Sequence, residues 1–144
     1  MKLMILHPDS GFTPEELAVR VARLQTAVGP DVGIAMECVQ RTQVCVDSLL
    51  DASVAAPEIV TMALDAQSRG FDAVGIYCLS DPGFDACREA LAIPVLGGGH
   101  CAFLTAASLG YSFSMITTSA RRIPQKREFV RGCGVDLSRL ASIR

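Results

Sequence analysis

At 144 residues, half of them hydrophobic and 19% charged, with a formal net charge of −2, the chain has the length of one ordinary domain and the composition of a packed core. So small and evenly mixed a charge excludes attraction of nucleic acid or an anionic membrane by charge alone, and no apolar run approaches the roughly 20 residues of a membrane span. The expected partner is a small molecule.

Residues 2–6 (KLMIL) form a short apolar run that His7-Pro8-Asp9-Ser10-Gly11 ends, which predicts a buried first strand and a loop. The run carries a single lysine and no small-residue cleavage site, so it does not read as a signal peptide, and the cytoplasm is the expected location. Thr13-Pro14-Glu15-Glu16 then supplies a cap hydroxyl, a proline at the first helical position and acids where the helix dipole favours them. Leu17, Val21 and Leu24 give that helix its inner face, Gly29-Pro30 stops it, and residues 32–36 read as a second strand. Residues 38–51 lack a clean helical period and read as a loop long enough to carry function. Ile59, Val60, Met62, Ala63 and Ala66 predict a helix over 55–68, closed by Gly70. The apolar run 71–78 suits a buried parallel strand with Cys78 at its C-terminal end.

Asp81-Pro82-Gly83 turns the chain into a short helix over 84–91, and residues 93–96 make a fourth strand before Gly97-Gly98-Gly99, which permit close approach of ligand or backbone. A helix over 100–109, a strand over 112–117, a helix over 123–131 and the opening of a further strand at 139–144 complete the chain. This alternation predicts an α/β fold of three layers, a parallel sheet with helices on both faces and right-handed crossovers. Residues 1–96 are expected to form a first lobe and 97–144 a linker helix with the beginning of a second, unless the two pack as one compact domain. Ligands bind beyond the carboxyl ends of such strands, so the loops starting at His7, Cys38, Leu79 and Gly97 matter most, with Thr117-Thr118 a fifth candidate.

Six cysteines in a chain of this size and hydrophobicity do not describe a disulfide scaffold, and reduced thiols are expected. Without a C-x-x-C pair, and with His7 and His100 outside any metal-spaced motif, no metal site is expected. Arg121, Arg122, Lys126 and Arg127 lie on a predicted helix and read as a solvated basic face in preference to a phosphate site. Cys101 follows the glycine loop and either faces the cleft or, the favoured reading given its apolar helical surroundings, is core, and Cys133 reads as part of a helix-ending turn. Cys78 differs from these: at a strand end before Leu-Ser-Asp-Pro-Gly, it stands where backbone N–H groups and the next helix's N-terminus can lower a thiol pKa. That predicts the most reactive thiol of the six, fit for a nucleophile or a proton-abstracting base, although a buried core cysteine suits the position equally well.

Asp51-Ala52-Ser53-Val54-Ala55-Ala56-Pro57, Gly70-Phe71-Asp72-Ala73-Val74 and Cys78-Leu79-Ser80-Asp81-Pro82-Gly83-Phe84-Asp85-Ala86 form a more specific combination. With Arg88-Glu89-Ala90, Ile93-Pro94-Val95, Thr117-Thr118 and the closing Arg139-Leu140-Ala141-Ser142-Ile143-Arg144, the sequence resembles the Asp/Glu/hydantoin racemase superfamily, hydantoin and allantoin racemases above all. The resemblance implies cofactor-independent inversion at a carbon next to a carbonyl of a small substrate such as a hydantoin, allantoin or an amino acid. One cysteine thiolate removes the proton from one face and a second cysteine delivers one to the other. Cys78 matches the first cysteine; the resemblance puts its partner beyond Arg144, in a second lobe of which this sequence contains only the opening.

By the same resemblance, the carbanion's charge is met by Asp9 and Ser10, by the Leu79 N–H and Ser80, and by Thr117 and Thr118. Ser10 and Ser80 can equally serve as turn formers and Thr118 as a helix cap. Asp9 stands where the family's first loop often has asparagine. His100 stands where related racemases usually carry glutamate, and reads either as a group that titrates near neutral pH or, the favoured reading, as a helix-start residue without a catalytic part. No cofactor is implied, and a homo-oligomer is expected because a lobe without its partner leaves apolar surface exposed. The alternative is a non-catalytic lobe that binds a small molecule or oligomerises. Arylmalonate decarboxylation and maleate isomerisation also belong to this architecture, and fold alone does not choose among them.

Overall fold

The computed structural model describes residues 1–144. Four strands, β1 (Lys2–His7), β2 (Gly33–Cys38), β3 (Ala73–Ile76) and β4 (Val95–Gly97), pair in parallel in the order β2-β1-β3-β4. The period of two along β1 divides the core. Leu3 and Ile5 point to one face, where with Met36 and Ala73 they meet Leu17, Val21 and Leu24 of helix α1 (Pro14–Val28). Met4 and Leu6 point to the other, where with Val74 and Ile76 they meet Ile59, Ala63 and Ala66 of α2 (Leu49–Ser68) and Phe84 and Cys87 of α3 (Phe84–Ala90). The expected parallel sheet with helices on both faces is the observed one.

Thr13 supplies the cap hydroxyl read from the sequence and with Glu16 closes a capping box: the hydroxyl accepts from the Glu16 N–H, and the Glu16 carboxylate accepts from the Thr13 N–H. α2 departs from expectation by starting six residues early, at Leu49 rather than residue 55. Ser48 caps it, its hydroxyl accepting from the Asp51 N–H at 3.0 Å. Because Leu49 and Leu50 on this first turn are exposed, they break the apolar period that marks the rest of the helix. The polar-looking 38–51 stretch is therefore part loop and part helix.

After β4 the chain enters α4 (Gly98–Leu109), β5 (Phe113–Met115), a 3-10 turn (Ala120–Arg122), α5 (Ile123–Gly132), a second 3-10 turn (Leu137–Arg139) and β6 (Leu140–Ile143). β5 and β6 pair in parallel with each other and stand apart from the first sheet. Their core is a separate cluster of Phe103, Met115, Val130, Cys133, Val135 and Leu140. Arg139 ties β6 to α4, donating to the Ala107 and Gly110 carbonyls at 2.6 and 2.8 Å, where the helix dipole is negative. No helix is long and apolar enough to cross a membrane.

The strand order places the site. β1 connects outward to β2 and its neighbour β3 connects the other way to β4, so the connections leave the adjacent C-terminal ends of β1 and β3 in opposite directions and open a crevice there. Asp9 and Ser10 follow β1 and Cys78 follows β3, so both segments lie at that edge.

Candidate active site

Cys78 is one residue past the last backbone bond of the β1–β3 pairing, which the Tyr77 N–H makes to the Leu6 carbonyl at 2.8 Å. The chain then folds into a tight turn in which the Ser80 N–H donates to Cys78 Sγ at 3.4 Å and the Asp81 N–H to the Cys78 carbonyl at 3.2 Å. Gly98 makes room for this turn. A Cβ there would stand 2.8 Å from the Ile76 carbonyl oxygen and 3.2 Å from that of Cys78, so only glycine lets α4 begin this close to the strand end.

Asp81 holds the two pieces together. It adopts a left-handed conformation, φ 43°, which aspartate tolerates better than most residues. Its side chain, 1% exposed, accepts from the Gly99 N–H and the His100 N–H, both at 2.8 Å, and lies 3.0 Å from His100 Nδ1. It thereby caps α4 and sets that helix's start at Gly98, two residues before the expected one. His100 is packed between the rings of Phe84 and Phe129 and is bound to Asp81. It does not line the cavity beside Cys78.

That cavity, of about 220 Å³, is walled by Cys78, Leu79 and Ser80 from the first sheet, by Val46 from the loop before α2, and by Met115, Ile116, Thr117, Thr118, Arg122 and Lys126 from the second unit. A larger apolar recess of about 360 Å³, lined by Tyr77, Cys78, Leu79 and Gly98, adjoins it. Of the residues singled out in the sequence, Cys78, Leu79, Ser80, Thr117 and Thr118 share this cavity, whereas Asp9 and Ser10 stand behind its loop wall. Asp9 accepts from the Val46 N–H at 2.7 Å, and the Ser10 N–H donates to the Val44 carbonyl at 3.1 Å. At the wall's far end the Thr118 hydroxyl donates to Asp47. Thr117 is fixed by its N–H, which donates to the Arg144 carbonyl at 2.7 Å.

Sequence reasoning missed Lys126 and Arg122. Lys126 is not on a solvated face: it is 4% exposed, and Nζ donates to the Leu79 carbonyl at 2.8 Å and to Ser80 Oγ at 2.9 Å. Arg122 donates to the same hydroxyl oxygen at 3.0 Å. Arg121 and Arg127, by contrast, are exposed. The signal that separates the pairs is the stripe Arg122, Lys126, Val130 and Cys133, where two cations continue an apolar face at helical spacing. Burial, with help from the nearby Arg122 charge, pulls the Lys126 ammonium down to about 8.

Cys78 corrects a second expectation. Burial pushes its thiol above the ordinary range, and the Ser80 backbone and side chain together with the Lys126 charge offset this only in part. His7, at the end of β1, is held down by burial, consistent with Nδ1 accepting from the Asp9 N–H at 3.3 Å as a neutral imidazole. Cys101 is exposed rather than core: α4 buries Gly99 and Phe103, and a residue two positions from either faces the opposite side. Cys133 caps the end of α5, as expected, and is buried. No group of three or more His, Cys, Asp or Glu side chains is placed to hold a metal ion.

A model of the family described as Asp/Glu/Hydantoin racemase matches residues 13–144. A hydantoin racemase of Rhizobium meliloti is 30% identical over 95 residues, which is 66% of this chain and 39% of that protein. A hydantoin racemase of Pseudomonas sp. (strain NS671) is 27% identical over 151 residues, covering 100% of this chain and 57% of its own. Among solved structures, the allantoin racemase of Klebsiella pneumoniae superposes with a TM-score of 0.87 at 22% identity, over 99% of this chain and 57% of that one. The allantoin racemase of Pseudomonas fluorescens gives 0.84 at 24% identity, over 100% and 60%. The chain thus spans between 39% and 60% of the length of these relatives.

Proposed function

The chain belongs to the Asp/Glu/hydantoin racemase family, and from that premise we propose that it acts at the carbon next to a carbonyl of a small substrate, a hydantoin, allantoin or an amino acid, with Cys78 as acid/base. The observation that carries this reading is the placement of a single half-buried thiol in a small cavity at the crevice of a parallel sheet, its sulfur accepting from the Ser80 N–H. Leu79 and Ser80 on one side and Thr117 and Thr118 on the other are proposed to receive the charge that develops on the carbonyl oxygen. Asp9 and Ser10 act through the loop wall they hold. His100 is proposed to position the Cys78 turn through Asp81, without touching substrate. Residues 1–96 are proposed to form one lobe and 97–144 the linker and beginning of a second.

A thiol raised by burial suits the protonated member of an acid/base pair, which delivers its proton to the carbanion. As base in the reverse direction, Cys78 depends on Ser80 and Lys126 to stabilise its thiolate. None of the other five cysteines lines the cavity, so hydrogen exchange at the α-carbon is the step for which Cys78 is tested by itself. We also propose that the chain functions in the cytoplasm, without a cofactor, and self-associates through the exposed Tyr77, Leu79 and Ile116 at the cavity mouth; sedimentation that yields only monomer contradicts the last point.

The test is solvent deuterium incorporation at the α-carbon of 5-substituted hydantoins, allantoin, aspartate and glutamate, with spontaneous exchange subtracted and Cys78→Ala as control. Exchange of one substrate, abolished by the substitution, is the expected result. Exchange that survives Cys78→Ala, or none with any substrate, contradicts the reading and favours a lobe that only binds.

A further inference from the structure

Arg122 and Lys126 are two cations on one helical stripe, and both spend hydrogen bonds on neutral acceptors. Lys126 is bound to the Leu79 carbonyl and to Ser80 Oγ, and Arg122 to the same Oγ. Neither takes part in any of the chain's ion pairs. The carboxylates nearby are already engaged, Asp81 by the start of α4, Asp47 by Thr118, and Asp51, which feels the Arg122 charge, by Ser48. A positive charge with 4% exposure that Asp81 and Cys78 reach only through space, with no carboxylate in contact, is an expensive arrangement for the resting protein. Both cations border the cavity that holds Cys78, and each retains donors, since an ammonium has three and a guanidinium five.

We propose that Arg122 and Lys126 receive a carboxylate of the substrate beside Cys78, so that the chain takes a small anionic carbon acid in preference to a neutral cyclic one. The proposal rests on the carbon-acid reading above only for what the carboxylate is attached to. A guanidinium grips a carboxylate with two parallel bonds, and the ammonium adds a point charge on its other side. The cavity beside the two cations has a volume of about 220 Å³, enough for the carboxylate end of a small acid, and the adjoining apolar recess of about 360 Å³ takes the rest. With the carboxylate bound, the Lys126 charge, which already acts on Cys78, also meets the charge that develops when the α-proton leaves.

The experiment is protection of Cys78 from alkylation by iodoacetamide, read on the Cys78 peptide by mass spectrometry, with succinate and its neutral diamide as probes on the full chain. Succinate is expected to protect at concentrations at least tenfold below the diamide. Lys126→Met and Arg122→Met should each remove that preference, Lys126→Arg should retain it, and exposed Arg127→Met should leave it unchanged. Arg122 is only partly buried, so its variant keeps the test open should Lys126→Met fail to fold. Equal protection by succinate and the diamide, or a preference that survives both methionine variants, overturns the proposal. Protection requires no turnover. Selective succinate binding without deuterium exchange in any substrate therefore contradicts the carbon-acid reading and leaves the carboxylate site standing, while Cys78-dependent exchange without selective succinate binding does the reverse.

Discussion

Glu58 and Lys126 are both charged, both nearly inaccessible and both on helices, yet their surroundings are opposite. The Glu58 carboxylate accepts from three successive backbone N–H groups, of Gln40, Arg41 and Thr42, at 2.7 to 2.9 Å. These bonds outweigh burial and bring the carboxyl down to about 2, so the fold favours its charge. The Lys126 ammonium finds one carbonyl and one hydroxyl, and burial prevails. The first charge is complete within the chain and fixes the loop after β2. The second is incomplete and faces a cavity. Buried charge alone does not mark a site, but a buried charge that the fold leaves under-satisfied does.

The contrast breaks most visibly on substitution. Glu58→Ala removes an acceptor shared by three backbone donors and should cost about 3 kcal/mol in chemical denaturation. Lys126→Met, which replaces an under-satisfied charge with an apolar chain of similar length, should cost less than about 1 kcal/mol. Similar losses from the two would mean that both are structural.

The pH dependence sharpens the same contrast with opposite signs. Glu58 titrates lower in the folded chain than in the unfolded one, so its contribution, on the order of 2 to 3 kcal/mol, is complete above the unfolded carboxyl pKa and is lost as pH falls toward about 2. Lys126 also titrates lower when folded, but its charged form is the protonated one. Between about 8 and the ordinary lysine range the unfolded chain holds more protons, and stability rises with pH. Glu58→Gln should flatten the acid limb and Lys126→Met the alkaline limb of a stability profile measured by urea unfolding.

A smaller effect is expected at Gly98. Gly98→Ala brings a methyl group against the Ile76 and Cys78 carbonyls and should cost about 1 to 2 kcal/mol. It should also slow Cys78 alkylation, because the displaced turn carries the Ser80 N–H away from the sulfur; an unchanged alkylation rate would show that Lys126 alone sets the thiol's reactivity.

Much of the scaffold was legible in the sequence because it is written in local chemistry. Thr13 to Glu16 announce a helix start, β1 and β3 read as buried strands, and Cys78 falls at a strand end in any α/β reading. The site was half legible for a different reason. Cys78, Leu79 and Ser80 come from one turn, but Lys126 meets that turn from 46 and 47 residues away. A basic residue on a helix has the same local pattern whether its face meets water or another loop. Asp81 was hidden inside a Pro-Gly turn motif, where aspartate is ordinary. The thiol's raised pKa was missed because strand-end geometry shows the stabilising N–H but not the depth of burial.

The most direct test of the under-satisfied charge is the rate of Cys78 alkylation as a function of pH in the native chain, Lys126→Met and Lys126→Arg, each checked for an intact fold by circular dichroism. If Lys126 acts on the cavity through its charge, alkylation below about pH 8, where the ammonium is still protonated, is slower in Lys126→Met and no slower in Lys126→Arg than in the native chain. An unchanged rate in Lys126→Met below that pH would contradict the account and leave Lys126, like Glu58, a residue that serves the fold alone.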